Sequence, residues 1–221
     1  MEYQLIRSRR KTIAICIARD GSVIVRAPLR AAQSAIDRFV QEKHGWIEVK
    51  SGQMVKRDAA RREFRVSVGS ELFLLGRQWP VLSGNKVAFD GTQFLITDEN
   101  YETIKPKLIQ LYKTIAQQII PERVAVFSKR TGWVPAGVRI GSASTSWGSC
   151  SGKNRLNFTW KLVTAEPEVI DYVVVHELAH LIEHNHSVRF WRLVEGVLPD
   201  YRARREKLKL LGENLQKSGL G

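Results

Sequence analysis

Four of the chain's five histidines fall between positions 176 and 186. His176 and His180 are four residues apart, so on a helix of 3.6 residues per turn their rings share one face, about 40° apart in azimuth and one turn apart in height. Two neutral imidazoles at that spacing can hold one Zn²⁺, and a glutamate directly after the first can take a proton from the attacking water. His176-Glu177-Leu178-Ala179-His180 is therefore the HExxH pattern of zinc hydrolases. The bare pattern arises by chance in roughly one chain of this length in a hundred or two. Its surroundings carry more weight. Val173, Val174, Val175, Leu178, Ala179, Leu181 and Ile182 make the segment apolar nearly all round, as a buried helix is. Imidazoles and a carboxylate buried there without partners cost several kcal/mol, and a metal ion supplies the partner.

The third ligand is a choice between His184 and His186. On a continuing helix His184 stands about 12 Å of rise beyond His176, out of reach of its metal. The helix must therefore end first. Asn185 tolerates the left-handed conformation used just past helix ends, and the reversed chain carries His186 back toward the site. His176, His180 and His186 are then the metal ligands of one Zn²⁺, with a fourth position left for water and Glu177 as catalytic base. His184 falls outside this set, as a neighbouring or surface residue.

The elements that must position these groups read as an α+β protein. Ile13, Ile15 and Ile17 alternate with Thr12, Ala14 and Cys16, Asp20-Gly21 follows, and alternation resumes at Val23 and Val25, so 11–19 and 22–27 are expected to form a hairpin. Ile36, Phe39, Val40 and Ile47 repeat at helical spacing over 32–55. Short strands follow at 63–68, 71–75, 79–82, 86–89 and 93–97, separated by glycine-bearing turns. The N-terminal half thus reads as mostly antiparallel sheet with one helix. A seam is expected at 98–107, giving a mainly β domain over 1–100 and a helical, zincin-like domain over 101–221. In the second half Leu108, Leu111, Tyr112, Ile115 and Ile119 mark a helix that Pro121 should kink or end. A β-hairpin of 138–145 and 155–161 is joined through Trp147-Gly148-Ser149-Cys150-Ser151-Gly152. Pro167 then opens the helix that carries the metal pattern.

Composition narrows the class. With 221 residues, 43% hydrophobic and 26% charged, the chain can bury one large or two small cores, which excludes disorder, collagen and disulfide miniproteins. No apolar run reaches the ~18–20 residues of a membrane span, and the start lacks a signal-peptide core. Cys16 and Cys150 form no CxxC, which suits a reducing compartment, so the cytoplasm is expected. The formal charge is +13. Residues 66–200, which contain the metal pattern, hold 14 basic and 13 acidic side chains, whereas residues 1–65 hold 15 and 7. The excess therefore bears on weak polyanion or nucleic-acid contact through the N-terminal segment and the basic helix of Arg202, Arg204, Arg205, Lys207 and Lys209. A solvated face is the plainer reading of that helix.

The run Tyr172-Val173-Val174-Val175-His176-Glu177-Leu178-Ala179-His180-Leu181, followed by Asn185-His186-Ser187-Val188-Arg189-Phe190-Trp191 and preceded by Trp147-Gly148-Ser149-Cys150-Ser151 and Leu156-Asn157, resembles the YgjP-like metal-dependent hydrolases, relatives of the WLM and SprT-like zinc peptidases. Lys11-Thr12-Ile13 and Val25-Arg26-Ala27-Pro28 extend the resemblance toward the N-terminus. It implies His176, His180 and His186 as ligands, Glu177 as base, and a peptide or protein substrate. The family usually places an arginine before the Trp-Gly-Ser-Cys element, where this chain has Ser146.

Three functions remain in play at this level. A zinc metallopeptidase comes first. A nucleotide or phosphoester hydrolase, such as a nucleoside triphosphate pyrophosphate hydrolase, would use the same activated water, although no phosphate-cradling GxxxxGK[ST] loop is present. A nucleic-acid-associated protease or binding protein rests on charge alone, since no helix-turn-helix, RNP or zinc-finger spacing is found. Arg189 and Tyr172 are the residues considered for stabilising an oxyanion. Cys150, Phe190 and Trp191 read as packing residues, and His44 has no evident role.

Overall fold

The computed structural model describes residues 1–18, 20–63 and 65–217. Its first strands are β1 (Gln4–Ser8), β2 (Ala14–Ile17) and β3 (Val23–Pro28), in the sheet order β1-β3-β2. Asp20-Gly21 turns β2 into β3 as its chemistry suggests. Gly21 adopts φ +86°, and the Asp20 carboxylate accepts from the Ser22 amide at 3.0 Å and from its hydroxyl at 2.7 Å. Residue 19, at the end of the expected first strand, lies outside the described residues. The unforeseen strand is β1, which pairs parallel with β3 (Leu5 opposite Val25) and carries no strong alternation to announce it.

The inner face of this sheet puts Val25 and Ala27 against Ile36 and Val40 of α1 (Gln33–Glu42) and Ile47 of α2 (His44–Glu63). The expected single helix over 32–55 is broken at Lys43, whose backbone leaves the helical region at φ −99°, ψ 7°. A straight helix would carry Ile47 about 16 Å beyond Ile36, past the edge of three strands spaced ~4.8 Å apart. The break lets both isoleucines serve one small core.

The chain divides into two compact units: among the described residues the first takes in the chain up to Glu63 together with Gln216 and Lys217, and the second runs from Arg65 to Leu215. The second begins with β4 (Glu71–Leu74), β5 (Arg77–Ser83), β6 (Ala88–Phe89) and β7 (Phe94–Ile96), in the order β4-β5-β7-β6. β5 and β7 run parallel. No strand forms over 65–68, and Phe64, within the strand expected at 63–68, lies outside the described residues.

α3 (Tyr101–Thr131) follows, capped by Asn100, whose side chain accepts from the Thr103 amide at 3.0 Å, and ended by Gly132 at φ +76°. Both Pro106 and Pro121 lie inside it. The helix continues through Pro121 because its Tyr112, Ala116, Ile120, Val124 and Phe127 stripe is buried at 4% exposure or less, which outweighs one missing N–H. The same packing moves the division between units from the expected 98–107 to residue 64. Tyr112 donates to the Phe73 carbonyl at 2.8 Å, and its ring lies 5.6 Å from Phe94 and 5.5 Å from Trp160. The strands of 71–96 thus share a core with the helical part.

The third sheet joins β8 (Gly137–Gly141), β9 (Gly148–Cys150) and β10 (Arg155–Thr159) in the order β8-β10-β9. The expected hairpin of 138–145 with 155–161 is corrected here. β8 and β10 are parallel, because the Gly/Ser segment between them itself forms β9, and the hairpin is β9–β10, with Phe158 opposite Gly148. A 3₁₀ turn (Trp160–Thr164) leads into α4 (Pro167–Ala179), α5 (Val188–Val197) and α6 (Tyr201–Lys217). The architecture is mixed α+β, and each of the three sheets contains one parallel pair. No helix among the described residues is long and apolar enough to cross a membrane.

Candidate metal centre

α4 begins on Pro167, pre-set for a first helical turn, and its residues Val169, Ile170, Val173, Val174, Val175, Leu178 and Ala179 are all buried. α3 braces it through a two-pronged pair, Arg123 Nε to Asp171 Oδ1 at 2.6 Å and Nη2 to Oδ2 at 2.9 Å. The helix ends sooner than Asn185. His180 is its C-cap, and the Leu181 and Ile182 amides turn back onto the carbonyls of Leu178 and Ala179 at 3.0 and 3.1 Å. The chain then returns to Ser187, whose hydroxyl accepts from the Phe190 amide at 3.3 Å and starts α5.

This reversal brings His186 to the α4 pair. One ring nitrogen from each of His176, His180 and His186 lies within 4.8 Å of the other two, and Nε2 of His176 and His186 are 3.0 Å apart. Tetrahedral Zn–N bonds of ~2.0–2.1 Å hold such nitrogens about 3.3 Å apart, so the donor set fits a small tetrahedral cation with little movement. The Glu183 carbonyl lies 3.1 Å from His180 Nδ1, which fixes that ring's donor on Nδ1 and leaves Nε2 with a free lone pair. His176 Nδ1 is buried with no hydrogen-bond partner among the described residues. Phe190, fully buried, packs against all three imidazoles at 4.5–4.8 Å, and Trp191 stacks on His186 at 5.7 Å.

The electrostatics suit cation binding. Burial, then the neighbouring His180, His186 and Arg205, push the His176 pKa down to about 3, and burial also lowers that of His180. These rings are neutral at physiological pH, the form a metal requires. Glu177 is only 6% exposed, and burial pushes its pKa up to about 7, in the range where a carboxylate can both accept and return a proton.

Residues outside the HExxH pattern complete the site, and sequence reasoning gave them no role. The β9 backbone lies directly on Glu177: a Cβ at Gly148 would fall 2.6 Å from Glu177 Cγ and 2.8 Å from Oε1. Only glycine admits the strand so close. Cys150, two residues on, is partly buried, its thiol pKa raised by burial and by the nearby Glu177 carboxylate. Trp147-Gly148-Ser149-Cys150 stood out in sequence, yet nothing there placed it against the carboxylate. Arg205, read as part of a solvated basic face, has its guanidinium 5.1 Å from the Trp191 ring centroid. Tyr172 packs edge-on to His176 at 5.9 Å, while Arg189 is largely exposed and faces Glu183 at 3.9 Å. His184 is exposed, and His44 belongs to the first unit, where it pairs with Glu48.

A mixed α+β chain with three converging imidazoles beside a buried glutamate has the makings of a metal-dependent hydrolase. Comparison with known families makes the class specific: residues 11–210 match the YgjP-like metallopeptidase domain. The chain belongs to this family and is, in general terms, a metal-dependent peptidase. None of the curated proteins matches it. Among solved structures, the metallopeptidase zymogen of Pyrococcus abyssi abylysin is similar over 44% of this chain and 95% of its own, at 29% identity and a TM-score of 0.39.

Proposed function

We propose that the protein is a zinc peptidase in which His176, His180 and His186 hold one Zn²⁺ and Glu177 is the general base. The observation that carries this reading is the convergence of three ring nitrogens within 4.8 Å of one another beside a carboxylate buried to 6% exposure. Nitrogen-rich tetrahedral donors favour zinc among the common divalent ions. When bound, such an ion supplies Lewis acidity to a water molecule and to the scissile carbonyl. The rest belongs to the chain. Glu177 takes the proton of the attacking water on its carboxylate and delivers it to the departing amine. Gly148 keeps that carboxylate covered by β9 without displacing it. β9 is also the edge of its sheet, and an extended peptide adding a strand there would lie beside Glu177.

The test combines metal analysis with hydrolysis of an unfolded protein. Purified protein should contain close to one zinc per chain, His186→Ala should lose most of it, and Glu177→Gln should keep it while losing peptide hydrolysis by about 10²–10⁴-fold, the size of a general-base effect. Absence of zinc, or hydrolysis undiminished in Glu177→Gln, would sink the proposal. Cleavage of nucleoside triphosphates in place of the unfolded protein would move the chemistry to phosphorus.

A further inference from the structure

We infer that Arg205 forms a carboxylate-binding subsite beside the metal centre, selecting peptide substrates that carry a negative charge near the scissile bond. The inference deepens the peptidase reading and rests on it for the word substrate.

Placement comes first. α6 runs past two tryptophans that border the site. At Arg205 its guanidinium stacks over Trp191, whose ring in turn stacks on His186 and lies 5.8 Å from His176. Seven residues later a Cβ at Gly212 would lie 3.7 Å from the ring of Trp147, the residue before the strand that covers Glu177. Seven residues make nearly two full turns, so Arg205 and Gly212 occupy one face, about 10 Å apart along the helix. Tyr201, one turn before Arg205, stacks on the same Trp191 ring at 5.3 Å and 17° and is buried at 5% exposure. That face is therefore docked along the site, and Arg205 is its exposed cation.

Availability comes second. Among the described side chains the other α6 cations are occupied: Arg202 pairs with Glu195 at 3.0 Å, Arg204 with Asp200 at 2.9 Å, Lys207 with Glu168 at 3.0 Å, and Lys209 approaches Glu206 at 3.9 Å. Among the described residues no carboxylate pairs with Arg205. Arg189, the other arginine near the ligands, is turned toward Glu183. A guanidinium held by one face on an aromatic ring keeps its N–H edge free, and that edge matches a carboxylate in a two-bond geometry.

A carboxylate near the scissile bond has two sources, the substrate's C-terminus or an acidic side chain. The zinc-loaded Glu177→Gln protein, which cannot turn substrate over, is titrated with four acetylated pentapeptides: free acid or amide at the C-terminus, each with glutamate or glutamine at the central position. One of the two carboxylates should tighten binding about tenfold over its neutral counterpart, a charge-assisted pair moderated by solvent. Arg205→Gln in the same background should abolish that preference and leave the neutral peptide's affinity within twofold. Arg205→Lys should restore only part of it. Preference for the free acid assigns the C-terminal carboxylate, and preference for glutamate assigns the side chain. No preference, no binding, or a preference that survives Arg205→Gln overturns the subsite. Hydrolysis of the neutral peptide by the unsubstituted enzyme is scored separately, and its absence counts against the peptidase reading alone.

Discussion

Replacing Gly148 with alanine separates proton transfer from metal binding. The added methyl would lie 2.6 Å from Glu177 Cγ, 2.8 Å from Oε1 and 2.9 Å from Cδ, where non-bonded carbons settle at about 3.5–4.0 Å. Something must retreat by about 1 Å. Glu177 is fixed on a helix buried on every side, so either its carboxylate swings away or β9 lifts off it. A displacement of that size in a reacting group costs about 10² in rate, and overpacking at a buried site costs about 1–3 kcal/mol of stability. The three atoms the methyl would meet first all belong to Glu177. The zinc-loaded variant should therefore keep its metal stoichiometry, lose ~1–3 kcal/mol in denaturant unfolding, and lose about 100-fold in kcat with a much smaller change in KM. Ser149→Ala, the exposed neighbour, serves as the control and should behave as the parent protein. Wild-type kcat in Gly148→Ala would refute the argument that β9 sets the position of the base.

Other outcomes follow from the charges and the core. Glu177 titrates at about 7 in the folded chain against 4.5 unfolded, so the folded state holds an extra proton between those values and loses stability as pH rises through them. In metal-free protein the stability advantage of Glu177→Gln over the parent should grow by on the order of 3 kcal/mol from pH 4.5 to 7 and then level; His176, shifted the other way, is common to both proteins and cancels, and a pH-independent gap would show that the carboxylate is not desolvated. Tyr112→Phe leaves the Phe73 carbonyl without its donor and should destabilise the second unit by about 1–2 kcal/mol in chemical denaturation, with kcat and KM unchanged. Asp171→Asn weakens the α3–α4 brace. Because the Arg123 side chain is 35% exposed, the loss should be only about 1 kcal/mol and should shrink in high salt.

The convergence of the three histidines was more legible in the sequence than the framework. The metal pattern could be read because ligand spacing is a local property: His176 and His180 share a helix face by period alone, and His186 had to follow a chain reversal. The position of that reversal was not local. The helix stops at His180, five residues before Asn185, because the Leu181 and Ile182 amides close tight bonds back onto the last turn. Parallel pairing was invisible for the same kind of reason. Alternation says which face of β8 or β10 is buried but not which neighbour it meets, and β9 was hidden in a Gly/Ser segment that looks like a loop. Pro121 illustrates the opposite case. A strong local breaker was overridden by a buried stripe running the length of α3. Gly148 and Arg205 escaped notice because their roles exist only across elements, glycine against a carboxylate and arginine against a tryptophan.

The burial of α4 has a further consequence for how the site breathes. Residues Val173–Val175 and Glu177–Ala179 are almost wholly out of solvent, so their amides should exchange with deuterium only when the whole second unit opens. The segment from 181 to 187, mostly exposed and held by a few short-range bonds, should exchange orders of magnitude sooner. Two of the three imidazoles thus belong to the slowest part of the unit and the third to one of the fastest. Fluctuation within the three-histidine cluster should therefore be borne mostly by His186.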